Sequence, residues 1–241
     1  MKVRGIFAVL LLLTGLQSAL AQKFTVYMAN KQVVKFSVTE VDSIVFSELD
    51  DWVDLGLPSG TLWATCNLGA SSPEEYGDYF SWGETEPKES YSWSNYKWCN
   101  GTGDVMTKYC LSSEYGQVDN KESIELSDDA ARASWGGDWR IPTETELEEL
   151  RVKCTWEWTT QNGYNGYKVT SKKNGQSIFL PAAGWRYDAY ESRVGSDGYY
   201  WSSTPDEISA DNACDLYFSE GYHFVDWDYR FDGRSVRPVL E

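Results

Sequence analysis

Two acidic runs carry the side chains best suited to chemistry. Asp206, Glu207, Asp211, Asn212 and Asp215 form one, and Asp226, Asp228 and Asp232 form the other. Carboxylate and amide oxygens are the ligands of calcium. Asp206, Asp211, Asp215, Asp226 and Asp228 are therefore the candidate metal ligands, and calcium is the cofactor they would take. Neither run follows an EF-hand. Counted from Asp228, Arg230 stands at the third ligand position and Val239 where the bidentate Glu belongs. Solvated turns account for the same residues, and both readings stay open.

Catalytic groups are sparse. His223 is the only histidine, and it lies in the alternating run Tyr222-His223-Phe224-Val225, which marks a strand position rather than a general base. Two carboxylates can hydrolyse a glycosidic bond. With 37 acidic residues, however, any two can be paired on paper. A glycan-active hydrolase thus ranks behind a non-enzymatic role.

Five cysteines, Cys66, Cys99, Cys110, Cys154 and Cys214, leave at least one unpaired within the chain. Cys99 and Cys110 flank the Gly-rich turn 100–103 and are the expected disulfide. No pair has C-x-x-C spacing, so zinc and thioredoxin-type chemistry lack their signature.

These groups need elements to hold them. Residues 139–150, WRIPTETELEEL, start a helix: Thr143 caps, Glu146 closes a capping box, and Leu147, Leu150 and Cys154 share one face. A shorter helix is expected from Ser127-Asp128-Asp129 to Gly136-Gly137. Strands are expected on either side of Pro58-Ser59-Gly60, and at 166–173 and 176–180 around the hairpin signal Asn174-Gly175. Further strands are expected at 199–204, 213–219, 222–227 and 235–240. Residues 73–117, rich in Gly, Ser, Tyr and Trp, are expected as ordered loops. The fold class is α+β, with two helices among antiparallel strands.

Residues 1–21 show Lys2 and Arg4, the apolar run 6–13 and Ala19-Leu20-Ala21, the pattern of a secretory signal peptide. The apolar run is too short for a permanent transmembrane helix, and no later stretch reaches the required length. The expected location is secreted, periplasmic or cell-surface. Residues 22–50 form a small β module: strands 24–28 and 33–38 make a hairpin, and Ile44-Val45-Phe46 offers a third strand before a charged linker. Residues 51–241 are the main domain. A formal charge of −16 argues against nucleic-acid and anionic-membrane partners. The 12 Trp, 16 Tyr and 9 Phe supply ample material for a core.

The ordered motifs VDLGLPSGTLWATCNLGA, GDYFSWGETEP, WRIPTETELEEL, SIFLPAAGWR, GYYWSST and GRSVRPV closely resemble the Fibrobacter succinogenes major paralogous domain over about residues 52–241. That group is related to C-type lectin-like and formylglycine-generating-enzyme-like folds. The resemblance implies a C-type lectin-like domain preceded by the small β-hairpin module, on an exported protein. It implies no formylglycine-forming oxidase, because only Cys214 remains in the C-terminal region. Glu86-Pro87-Lys88 only partly matches the Glu-Pro-Asn sugar-binding tripeptide, since lysine cannot ligate calcium. A binding face would lie on the segment 182–198, with Trp185, Tyr187, Asp188, Tyr190 and Arg193 as ligand-binding residues. The expected function is recognition or adhesion: a non-enzymatic module binding a glycan or a protein through aromatic loops. The alternative is a structural component of a surface complex, assembled through the N-terminal β module.

Overall fold

The computed structural model describes residues 23–27, 33–37 and 51–240. The signal segment and the triplet Ile44-Val45-Phe46 lie outside the described residues. The chain divides into two units, Met1–Leu49 and Asp50–Glu241. In the first, β1 (Lys23–Tyr27) and β2 (Val33–Ser37) pair antiparallel, with Phe24 opposite Phe36 and Val26 opposite Val34. The expected hairpin is therefore present.

The second unit is α+β, with antiparallel sheets and two α-helices among the described residues. The turn at Pro58-Ser59-Gly60 joins β3 (Trp52–Asp54) to β4 (Leu62–Ala64). Residues 73–117 form loops with one 3-10 turn, Trp93–Asn95. Helix α1 (Ala130–Trp135) is capped by Asp129, whose Oδ1 accepts the amides of Ala131 and Arg132. Strand β5 (Trp139–Arg140) leads into α2 (Glu144–Lys153). The capping box of α2 forms as the sequence requires, and Leu147 and Leu150 are buried with Cys154 in one apolar cluster.

From Cys154 the chain passes directly into β6 (Cys154–Gln161), a strand the sequence reading did not contain. No Gly or Pro separates it from α2, so the usual boundary signal is missing. Next come β7 (Tyr164–Ser171) and β8 (Ser177–Pro181), around the Asn174-Gly175 turn. The short hairpin β9 (Trp185–Tyr187) and β10 (Tyr190–Ser192) follows, then β11 (Asp197–Pro205), β12 (Asn212–Ser219), β13 (Tyr222–Tyr229) and β14 (Val239–Leu240). Strands β6-β7-β8 and β11-β12-β13 form two antiparallel sheets, and a third has the order β3-β4-β14-β5. Val239 there pairs with both Trp63 and Arg140, so the C-terminal strand is clamped between early and middle segments. The main core joins Trp63, Leu147, Leu150, Val169, Leu180, Tyr200, Leu216 and Phe218. It packs one face of β11-β12-β13, and on the opposite face Trp201 and Ala213 are buried in a second cluster with Leu68, Phe80, Trp82 and Val236.

Candidate recognition surface

Three arginines in the C-terminal segment are almost fully buried, which requires partners for every guanidinium. Arg237 donates to Asn67 Oδ1 and to the carbonyls of Ala64, Thr65 and Phe179. Arg230 donates to the carbonyls of Asn212 and Tyr109 and lies 4.5 Å over the Trp82 ring. Arg234 pairs with Asp215, with Asp228 at 2.8 Å and with Asp232 at 3.4 Å, between the rings of Tyr199 and Trp201. Gly233 is required beside it, because a Cβ there would stand 2.7 Å from the Tyr91 ring.

The Arg234 centre gives two of the calcium candidates a different partner. Asp215 and Asp228 meet Arg234, with Asp226 opposite Asp215 across the strands, so the cation in their midst is a guanidinium. Asp206 instead accepts the amides of Ile208 and Ser209 and closes a turn, while Asp211 accepts the Arg230 amide through its carbonyl. The five residues are not gathered into one site. Among the described residues, no group of three or more His, Cys, Asp or Glu is placed to hold a metal ion.

One cation shared by three carboxylates leaves the centre negative. Burial raises the Asp215 carboxyl to about 7; Arg234 opposes this, and Asp228 and Asp226 reinforce it. Burial likewise raises Asp232 to about 7, against the pull of Arg234. Burial lowers the Arg234 pKa, but the three carboxylates outweigh it and the net shift is upward. The guanidinium is held by all three carboxylates, while each carboxylate has a share of one cation and feels its neighbours. Asp215 Oδ1, Asp232 Oδ1, Ser235 Oγ and the Arg234 Nε are buried without a hydrogen-bond partner, so the centre is left with unmatched groups of both kinds.

The segment 182–198, expected as a loop, carries the β9-β10 hairpin and a two-residue turn at Asp188-Ala189. Tyr187 and Tyr190 face each other across the strands and are 46% and 75% exposed. Trp185 is half-buried against Tyr187 and Tyr199. Asp188 takes a positive φ of 47° and exchanges backbone hydrogen bonds with Tyr91, which anchors the turn. Arg193 is exposed and lies 3.8 Å from Asp197. The five candidate ligand residues thus sit on or beside one hairpin.

Long-range packing enlarges this surface. Tyr187 meets Phe231 at 5.7 Å, and Phe231 contacts Tyr229 and Trp93. Tyr229 is 49% exposed and Trp93 half-buried. In the other direction, Trp185 leads to Tyr199, Tyr217 and Phe224. A continuous band of eight rings therefore runs from Trp93 to Phe224. The sequence reading missed Trp93, Tyr199, Tyr217, Phe224, Tyr229 and Phe231 as surface partners; strand alternation in β13 was the signal available for Phe224.

The expected disulfide is absent: Cys99 and Cys110 are free thiols. Cys99 donates to the Trp93 carbonyl and Cys110 to the Ser112 carbonyl, while backbone pairing of Cys99 with Met106 closes the turn between them. His223 stacks on Trp156 at 4.6 Å, and its pKa is lowered by burial and by Arg151 and Lys172. Lys88 is tied to Glu84 at 2.9 Å.

A profile described as a domain of unknown function (DUF8237) matches residues 157–239, the stretch from β6 through the Arg234 and Arg237 segment. No curated protein and no solved structure matches the chain. Among the described residues, no helix is long and apolar enough to cross a membrane.

Proposed function

We propose that the chain is an exported, non-enzymatic recognition module of C-type lectin-like fold, related to the Fibrobacter succinogenes major paralogous domain. In this reading it binds a glycan or a protein outside the cytoplasm. The observation that carries it is the cluster of exposed Tyr187 and Tyr229 and half-buried Trp93 around buried Phe231. Rigid rings bring large contact area at little entropic cost, and Asp188, Tyr190 and Arg193 beside them supply polar contacts. A second reading, assembly into a surface complex, draws support from the β1-β2 hairpin, since a two-stranded sheet is marginal on its own.

Glycan and protein arrays probed with the full chain, alongside the double variant Tyr187→Ala/Tyr229→Ala, test the first reading. Loss of two central rings should weaken binding by at least about tenfold, with unfolding midpoints unchanged because both side chains are half-exposed. Equal binding by both proteins, or no binding by either, would overturn it.

A further inference from the structure

The face of β11-β12-β13 turned away from α2 has an ordered pattern. Tyr199, Tyr217 and Phe224 are register partners in one row across the three strands. The next row is Trp201, Asp215 and Asp226, and Asp228 follows opposite Ala213. Successive ring centroids in the aromatic row lie 4.9 and 5.0 Å apart, with planes inclined at 54° and 55°. Phe224 is 41% exposed, and Asp226 and Asp228 are half-buried. On the far side of the row, Tyr217 donates to Asp197 at 3.4 Å.

Charge on this face is unbalanced. Asp197, Asp226 and Asp228 lie on it with two cations, the exposed Arg193 and the buried Arg234, and Arg234 is already engaged by the buried Asp215 and Asp232. The molecule also shows what this combination holds, because Arg234 lies over Tyr199 at 4.9 Å and Trp201 at 4.6 Å while pairing with three of these carboxylates. Rings set at such angles make walls for a slim alkyl or guanidinium group, whereas a pyranose stacks best on a flat platform. Cations are drawn to aromatic faces, most strongly where water is partly excluded. In addition, β13 is the edge strand of its sheet, so an extended peptide laid along it would send alternate side chains onto this face.

We propose that the row Tyr199, Tyr217 and Phe224, with Asp226 and Asp228 beside it, is a subsite for a lysine or arginine side chain of a protein partner. The inference rests on the recognition reading and assigns one end of the aromatic band to a basic peptide segment.

The test titrates the full chain with two short peptides, acetyl-Thr-Lys-Thr-Lys-Thr-amide and its Gln counterpart. The lysine peptide should bind about tenfold more tightly or better. Phe224→Ala, which leaves charge unchanged, and Asp226→Asn/Asp228→Asn should each weaken it by about fivefold. Asn keeps an acceptor for the Trp227 amide that Asp226 Oδ1 now holds, and thermal unfolding verifies that both variants fold. A charge-matched control at exposed distant sites, Glu122→Gln/Glu157→Gln, should change affinity less than about twofold. The proposal falls if the lysine and glutamine peptides bind alike, if Phe224→Ala has no effect, or if the distant control weakens binding as much as the Asp variant. Oligosaccharide binding that depends on Tyr187 and Tyr229, with no discrimination between the peptides, would retain the recognition reading and discard this subsite.

Discussion

Arg140 and Arg234 both meet carboxylates in places largely closed to water, but in opposite balance. Arg140 forms a two-pronged pair with Glu146, 2.8 and 2.7 Å, and Glu146 also accepts the Thr61 hydroxyl and the Thr143 amide. Burial opposes the Glu146 charge, yet these bonds outweigh it and lower its carboxyl to about 2. At Arg234 one guanidinium serves three carboxylates, and buried oxygens are left without partners. The same two residue types therefore build a satisfied structural clasp at the start of α2 and an over-acidic centre beneath the aromatic band. A satisfied pair fastens elements together, whereas excess charge of one sign is what a ligand of the other sign can use.

The largest effect that sharpens this contrast is Glu146→Ala, which removes the mostly buried carboxylate that accepts from Arg140, Thr61 and Thr143 together and should cost about 3–5 kcal/mol in urea unfolding. A loss under about 1 kcal/mol would break the assignment of Glu146 as a clasp. The sign with pH follows from its depressed pKa. Its stabilisation is complete above the ordinary value of 4.5 and lost as pH falls towards 2.

Arg234→Met should cost about 2–4 kcal/mol at pH 8, where three carboxylates are left facing one another. The penalty should shrink at pH 6, because Asp215 and Asp232, held at about 7 while Arg234 is present, then bind protons in the parent too and less pairing is lost with the guanidinium. A pH-independent penalty would refute the shared-cation account. The smallest effect is that of Asp232→Asn. The folded state holds the Asp232 proton more tightly than the unfolded chain, so this group erodes stability as pH rises from 3.8 through about 7. The variant should be more stable than the parent by about 1 kcal/mol at pH 8 and by less than that at pH 5, a sign opposite to that of Glu146→Ala. Unfolding at the two pH values measures it, and destabilisation at pH 8 would show that the Asp232 contact with Arg234 outweighs repulsion.

Much of the local architecture was legible. The box from Thr143 to Glu146 and the Asn174-Gly175 turn depend on neighbours a few residues apart. The family resemblance also put Tyr187 and Tyr190 on one binding face, and both side chains are exposed. Legibility ended where partners were remote. Arg237 reaches Asn67, 170 positions away, and Arg234 reaches Asp215, 19 positions away, so the acidic runs suggested calcium when the counter-charge was an arginine. Cys99 and Cys110 were close enough in sequence for a disulfide, but their thiols are directed to backbone carbonyls.

The sequence by itself determined where α2 starts, where the hairpins turn and which strand residues alternate, because those choices rest on capping, backbone conformation and the period of the side chains. Only the tertiary structure decided which rings join the band from Trp93 to Phe224 and which cation sits among the aspartates. Both depend on the register of β11, β12 and β13 and on the path of the chain after β13, and a one-residue slip in that pairing would send every side chain of a strand to the other face.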